Sequence, residues 1–246
     1  MSQLLPERAP AWLKPALGVD PSQVQELIGN RQASSLNGTN IQVPVKREAA
    51  VLMLLSGKSS EDGSILLTHR SPSMRSHSGQ IAFPGGRRDP ADTSLVDTAL
   101  REAWEETDLQ RNSVTPLEQW DQLHIRATGN PVSPILAHWT QPGEVYPASP
   151  DETDDVFFVP IRELADPHNR FVVGFRKWQG PAFHANGYVI WGFTAGVLSA
   201  LLQHSGWSVP WDTNSVMDLR DSLKTPEIMR RCPNRLYRGT CTTHHK

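Results

Sequence analysis

The segment from Ser94 to Thr107 constrains the fold most, because its apolar and acidic residues separate onto two faces of a helix. Its apolar residues recur at about 100° per residue, at Leu95, Val96, Ala99, Leu100 and Ala103. Ser94 stands before them as an N-cap, and Asp97 occupies the position of the acid in a capping box. The pattern predicts an amphipathic helix over 94–107 with one face buried.

Charge changes sign along the chain just before this helix. Residues 64–88 contain no acid and four arginines, Arg70, Arg75, Arg87 and Arg88. Residues 89–108 contain seven acids against the single Arg101. Within the helix, three carboxylates at i, i+3 and i+4 share one face, and these are Glu102, Glu105 and Glu106. Like charges at this spacing repel unless a cation lies among them.

The composition of the whole chain excludes several classes of protein. Its 246 residues carry a formal net charge of −2, so bulk attraction to nucleic acid or to an anionic membrane is not expected. Two cysteines build neither a disulfide framework nor a four-cysteine zinc site. The first residues lack the pattern of a cleavable signal. We therefore expect a cytoplasmic globular protein.

The order of patterns along the chain indicates mixed α and β structure. Apolar runs at 49–55 and 64–70 predict two strands, and glycine and proline residues predict a long loop over 71–90. Further strands are expected at 132–139, 156–161 and 188–191, and a helix over 194–203. Residues 178–211 carry no Asp, Glu, Lys or Arg, but their apolar centre is too short to span a bilayer. These elements favour an α+β fold or a three-layer α/β/α sandwich.

The two ends differ from this central region. Residues 1–48 are interpreted as an N-terminal arm with a short helix over 21–28, capped by Asp20. Residues 49–203 contain the predicted strands and helices of the central domain, and residues 204–246 are interpreted as a C-terminal extension. The residues from Met229 onward are basic and without periodicity, which indicates a loosely held tail.

The acidic helix face suits a hard divalent cation. Carboxylate oxygens without cysteine or a histidine pair are ligands for Mg²⁺ or Mn²⁺ rather than zinc. A carboxylate-bound cation beside an arginine-bearing, glycine-rich loop favours phosphoryl chemistry. The alternative is an ordinary solvated acidic helix face.

The same residues resemble a known family. The segment Gly85 to Leu109 is similar to a Nudix box, and Arg101-Glu102-Ala103-Trp104-Glu105-Glu106 matches its centre. It departs in a longer interval between Gly86 and Arg101, in Asp92 or Thr93 at the early glutamate, and in Asp108 where glycine is usual. The first two departures are typical of the coenzyme A diphosphatase branch. The upstream segment LLTHRSPSMRSHSGQIAFPGG (66–86) and two later segments, 149–161 and 190–198, also resemble that branch.

The resemblance implies a role for each matching residue. Glu102 and Glu106 would bind the metal, and Glu105 would be a third ligand or would align the attacking water. Arg101 would orient these carboxylates. Gly85 and Gly86 would let the backbone approach the metal or the phosphates. Residues implied to face the substrate phosphates are Arg70, Arg75 and His77. Glu152, in an acid-rich segment, is the candidate general base or auxiliary ligand.

The resemblance also implies the fold and the reaction. We expect a Nudix-type α/β/α sandwich with a mixed sheet that hydrolyses the diphosphate of coenzyme A or acyl-coenzyme A. The products would be 4′-phosphopantetheine species and adenosine 3′,5′-bisphosphate. Two alternatives stay open, a Nudix diphosphatase for a dinucleotide or nucleotide sugar, and a non-catalytic ligand-sensing domain. The expected partner is a small-molecule substrate, with neither nucleic acid nor membrane, and a homodimer is left open.

Overall fold

A computed structural model describes residues 3–19, Val24, Leu27, 48–74, 78–124 and 130–224. The strands with described bounds are β1 Ala49–Ser56, β2 Ser64–Arg70, β3 Ile81–Ala82, β4 Gly85–Arg87, β5 Val114–Gln119, β6 Leu123–His124, β7 Pro131–Trp139, β8 Thr153–Pro160, β9 Arg170–Phe175, β10 Trp178–Ala185, β11 Tyr188–Ile190 and β12 Val216–Asp218. The helices are α1 Leu95–Thr107, α2 Ile161–Ala165, α3 Gly192–His204 and α4 Leu219–Ser222.

The larger sheet is mixed and is built around β1. Strand β1 pairs parallel with β7 and antiparallel with β2 and β4. Strand β2 also pairs with β8, antiparallel and over the whole length of β2. On the other side of β1, β7 pairs with β5. Parallel neighbours far apart in sequence need a crossover, and the stretch from β1 to β7 contains α1. Helix α1 packs against β1 and β4, and it reaches the end of β2, where Arg70 faces Glu106.

Alternation along the central strands places a helix on each face of this sheet. In β1, Leu52 and Leu54 pack with the apolar face of α1, whereas Met53 and Leu55 belong to the opposite cluster, which contains α3. Successive side chains of a strand point to opposite faces, so a continuous apolar run fits a sheet covered on both sides. The prediction of an α/β/α sandwich with a mixed sheet is confirmed.

A second sheet, which the sequence did not predict, joins distant parts of the chain. It has the order β11-β10-β9-β12. Strand β12 runs parallel to β9, with Val216 opposite Val172. The second sheet shares the larger apolar cluster with α3 through Phe183 and Ile190.

Most predicted elements are present. The two first strands, the helix over 94–107, the strands near 132–139, 156–161 and 188–191, and the helix near 194–203 are confirmed. The prediction that 71–90 is one long loop is wrong, since β3 and β4 supply hydrogen-bonding partners for β2 and β1.

The ends of the chain are described in part. Ala9, Leu13 and Ala16 of the N-terminal arm are buried in the larger apolar cluster. Of the predicted helix over 21–28, the structure describes Val24 and Leu27, both helical. Asp20 and the predicted tail from Met229 lie outside the described residues. No helix in the described ranges has both the length and the apolar character needed to cross a membrane.

Candidate functional site

Helix α1 begins where the sequence places its cap. The Ser94 hydroxyl accepts a hydrogen bond from the backbone N–H of Asp97 at 3.1 Å, which satisfies one of the free donors of the first turn. The predicted apolar face is buried against the sheet. Because this face fixes the rotation of the helix, Glu106 is turned toward the end of the sheet and becomes buried with it.

Glu106 is a buried carboxylate with two contacts from the preceding segments. Its Oε2 accepts a hydrogen bond from the backbone N–H of Gly85 at 3.2 Å, and its Oε1 lies 3.7 Å from Arg70 Nη1. Its side chain is only 4% exposed. Burial raises its pKa to about 8, although the Arg70 charge and the Gly85 hydrogen bond act in the opposite direction. Ionisation of Glu106 is therefore unfavourable unless a further cation binds beside it.

Glu102, one turn before Glu106 on the same face of α1, lies against Gly86. A Cβ placed on Gly86 would be 2.4 Å from Glu102 Oε2, and one on Gly85 would be 2.4 Å from the Ala50 carbonyl oxygen. No other residue type fits these two positions without displacing backbone or carboxylate. Burial raises the pKa of Glu102, and the negative charges of Glu105 and Glu152 raise it further.

Arg101 connects the acids of the site. Its Nε and Nη2 donate to the two carboxylate oxygens of Asp92, each at 2.9 Å, and its Nη1 lies 3.0 Å from Glu102 Oε1 and 2.9 Å from Glu105 Oε2. A further hydrogen bond runs from Nη2 to the Arg87 carbonyl oxygen at 3.0 Å. The hydrogen bonds that Asp92 accepts from Arg101 hold the pKa of Asp92 well below its usual range. The geometry fits the predicted orienting role, with Arg101 occupied by protein carboxylates.

The structure brings most of the predicted site residues together. Glu152 lies close enough for its charge to raise the pKa of both Glu102 and Glu106, and its carbonyl accepts from the Ser71 N–H at 2.8 Å. The Glu105 side chain is 44% exposed at the edge of the cluster. Two predicted substrate residues, Arg75 and His77, lie outside the described residues.

Asp108 shows why the usual glycine can be replaced at the end of the box. It caps α1 with left-handed backbone angles, φ 54° and ψ 21°. Aspartate tolerates this conformation better than most residues that have a Cβ. Its carboxylate also accepts a hydrogen bond from the Tyr146 hydroxyl at 2.9 Å, which ties the next loop to the helix end.

The donor set of the acidic helix face has the chemistry of a site for a hard divalent cation. Arg101 draws Glu102 and Glu105 toward itself, and among the described residues no three His, Cys, Asp or Glu side chains are arranged as a ligand set. Two observations favour a cation here, the carboxylate-only chemistry of the donors and the buried Glu106, whose pKa is raised. Glu102, Glu105 and Glu106 would hold it.

Two functional candidates were missing from the predicted site. Asp92, which the resemblance places with Thr93 at the early glutamate of the box, was given no role there and is the main partner of Arg101. His69 lies on β2 beside Arg70, with its ring stacked on Tyr188 at 4.8 Å. The sequence does indicate that His69 is buried, because Ile65 and Leu67, which share its face of β2, are apolar.

Comparisons with known proteins identify the family. The NUDIX domain model matches residues 46–179, which is more than half of the chain. The chain belongs to the Nudix family. A probable nudix hydrolase of Schizosaccharomyces pombe is 35% identical over 183 residues, covering 73% of this chain and 62% of that relative. The Nudix hydrolase NudL of Photorhabdus laumondii is 37% identical over 161 residues, covering 64% of this chain and 84% of NudL.

The family match tests the predicted class of activity. The prediction that the chain is an enzyme of the Nudix hydrolase family is confirmed by the domain match and by these relatives. A Nudix hydrolase from M. smegmatis, RenU, is 19% identical with a TM-score of 0.47, covering 68% of this chain and 90% of that chain. This structural similarity is weaker than the sequence matches and adds nothing to the family assignment.

Proposed function

We propose that this Nudix hydrolase cleaves the diphosphate of coenzyme A or acyl-coenzyme A with Mg²⁺ or Mn²⁺. One observation carries the proposal. Arg70 belongs to the segment that resembles the coenzyme A diphosphatase signature, and its guanidinium faces Glu106 of the Nudix helix at 3.7 Å. The signature and the box thus contribute to one site on β2 and α1.

The chain's own residues support each part of the reaction. The Arg70 side chain is partly exposed and its Nη1 lies 3.7 Å from Glu106 Oε1, so its guanidinium is held beside the acidic helix face, where it could donate to a phosphate oxygen. Arg101 and Asp92 hold the carboxylates in place. A bound divalent cation would neutralise phosphate charge and make an attacking water more acidic.

The bond changes follow from hydrolysis of a diphosphate. The water oxygen bonds to one phosphorus, and the bond from that phosphorus to the bridging oxygen breaks. The bridging oxygen leaves with the other phosphoryl group, which completes the two products. In our proposal Glu152 takes the proton of the water, because it lies near Glu102 and Glu106.

A substrate panel tests this proposal. Coenzyme A, acyl-coenzyme A, dephospho-coenzyme A, NADH, ADP-ribose and diadenosine polyphosphates are compared with Mg²⁺ and with Mn²⁺, and products are identified by mass. We expect the highest kcat/KM on coenzyme A or its thioesters, with adenosine 3′,5′-bisphosphate released. A higher kcat/KM on a dinucleotide or on ADP-ribose would favour the wider Nudix alternative. No turnover of any compound would favour a ligand-sensing domain.

Several finer predictions accompany this proposal. We propose a Nudix domain over 49–203 with an arm at 1–48 and an extension at 204–246. The cytoplasmic location and the homodimer stay predictions.

A further inference from the structure

The pairing of β2 with β8 contains an irregularity next to the site. From Ser64 opposite Pro160 to His69 opposite Asp155 the register is regular. The next pair is Arg70 opposite Thr153, so Asp154 has no partner on β2. This is a β-bulge, in which one extra residue interrupts the ladder and redirects the side chains that follow.

The extra residue, Asp154, contacts His69, which is the last residue of β2 before the register shift. Asp154 Oδ1 lies 2.5 Å from His69 Nδ1, and a carboxylate can only accept, so the ring nitrogen donates. The ring of His69 is stacked on Tyr188, whose hydroxyl donates to Asp155 at 2.8 Å. The His69 side chain is 11% exposed and that of Asp154 is 40% exposed. His69 is thus a packed anchor that holds Asp154 in the bulge.

The bulge decides which side chain lies opposite Arg70. Residues 65 and 67 of β2 contact the α3 side of the sheet, whereas Leu66 contacts the α1 side, and alternation puts Arg70 on the α1 side with Glu106. A regular register would place Asp154 opposite Arg70 on that side, because a shift of one residue moves a strand's side chains to the other face. With the bulge, the uncharged Thr153 takes this place.

We propose that His69 is a positioning residue for the hydrolase site, because it keeps the Asp154 carboxylate away from Arg70. This inference rests on the proposed function in assigning Arg70 to the substrate phosphates. Without the His69 contact, Asp154 is free to pair with Arg70 and to compete with a phosphate for the guanidinium. Just beyond the bulge, the Ser71 N–H donates to the Glu152 carbonyl at 2.8 Å, and under this proposal the same anchor supports this contact.

The kinetic test uses His69→Phe, which keeps a ring against Tyr188 and removes the Nδ1 donor. We expect KM to rise about tenfold while kcat changes less, since a charge-assisted contact to bound substrate is lost in ground and transition states alike. Tyr188→Phe is the matched control, and it should leave KM unchanged. A wild-type KM for folded His69→Phe would overturn the proposal.

A second substitution separates positioning from general damage. Adding Asp154→Ala to His69→Phe removes the competing carboxylate, so the double variant should regain most of the lost affinity and match Asp154→Ala alone. Contacting residues that act through one interaction show such non-additive effects. A double variant whose KM stays at or above that of His69→Phe would contradict the inference.

Hydrogen exchange keeps the bulge testable when His69→Phe does not fold or when the proposed substrate is wrong. Asp154 is partly exposed, so Asp154→Ala should fold. We expect the amide of Ser71, which donates to Glu152, to exchange about tenfold faster in this variant, with the amides of 65–67 unchanged. Equal exchange at Ser71 would refute the anchor whatever the substrate, whereas failed turnover by wild type would refute only the proposed function.

Discussion

Replacing Glu106 by glutamine should stabilise the metal-free protein. The carboxyl of Glu106 has a pKa of about 8 in the folded chain against an ordinary value of 4.5. The folded chain therefore keeps a proton that the unfolded chain releases between pH 4.5 and 8, so the free energy of unfolding falls as the pH rises through this window. Glutamine cannot ionise, and its amide oxygen can still accept from Gly85.

The magnitude follows from the distance between the two pKa values. Each pH unit between them costs the folded chain about 1.4 kcal/mol, so at pH 7 the carboxyl costs about 3 kcal/mol and at pH 5 less than about 1 kcal/mol. We expect Glu106→Gln to raise the free energy of unfolding by about 3 kcal/mol at pH 7 without metal. At pH 5 the gain should almost disappear.

Urea unfolding followed by tryptophan fluorescence in EDTA measures this difference. Glu105→Gln is the matched control, because Glu105 is half-exposed and its contact with Arg101 is worth less than about 1 kcal/mol. A saturating divalent cation should stabilise the wild type more than Glu106→Gln. A Glu106→Gln protein that is no more stable than wild type at pH 7 in EDTA would refute the reasoning.

Two further predictions concern stability. Arg170 is buried, its pKa is lowered to about 10 by burial, and no carboxylate in the described part of the chain lies within ion-pair distance. We expect Arg170→Met to be at least 1 to 2 kcal/mol more stable than Arg170→Ala, because alanine adds a cavity; equal melting temperatures would contradict this. Asp108→Gly should change the free energy of unfolding by less than about 1 kcal/mol, whereas Asp108→Val should cost about 1 to 2 kcal/mol because valine resists φ 54°. Thermal denaturation checks both pairs, and a valine variant as stable as the glycine one would be inconsistent with this account.

The sequence predicts those parts of the fold that depend on local patterns. Helix α1 was predicted from its cap and its apolar period, and β1 and β2 from short apolar runs. The spacing of Glu102, Glu105 and Glu106 places them on one helix face wherever the helix packs.

Other features depend on contacts between distant residues. Strand β12 joins β9 across more than 40 residues of sequence, and Gly180 and Pro181 within β10 resemble turn residues in the sequence alone. The surroundings of Glu106 on α1 include Gly85 from β4 and Arg70 from β2, which are distant in sequence. The β-bulge at Asp154 is a property of the register between two strands, which single-strand patterns do not contain.

The central claim is that the acidic face of α1 binds the metal that drives diphosphate hydrolysis. It is tested most directly by kcat for Glu105→Gln and Glu106→Gln on coenzyme A with saturating Mg²⁺ or Mn²⁺. We expect each variant to lose about two orders of magnitude or more in kcat while both remain folded, with Glu106→Gln no less stable than wild type without metal. Near-wild-type turnover by both folded variants would contradict the claim.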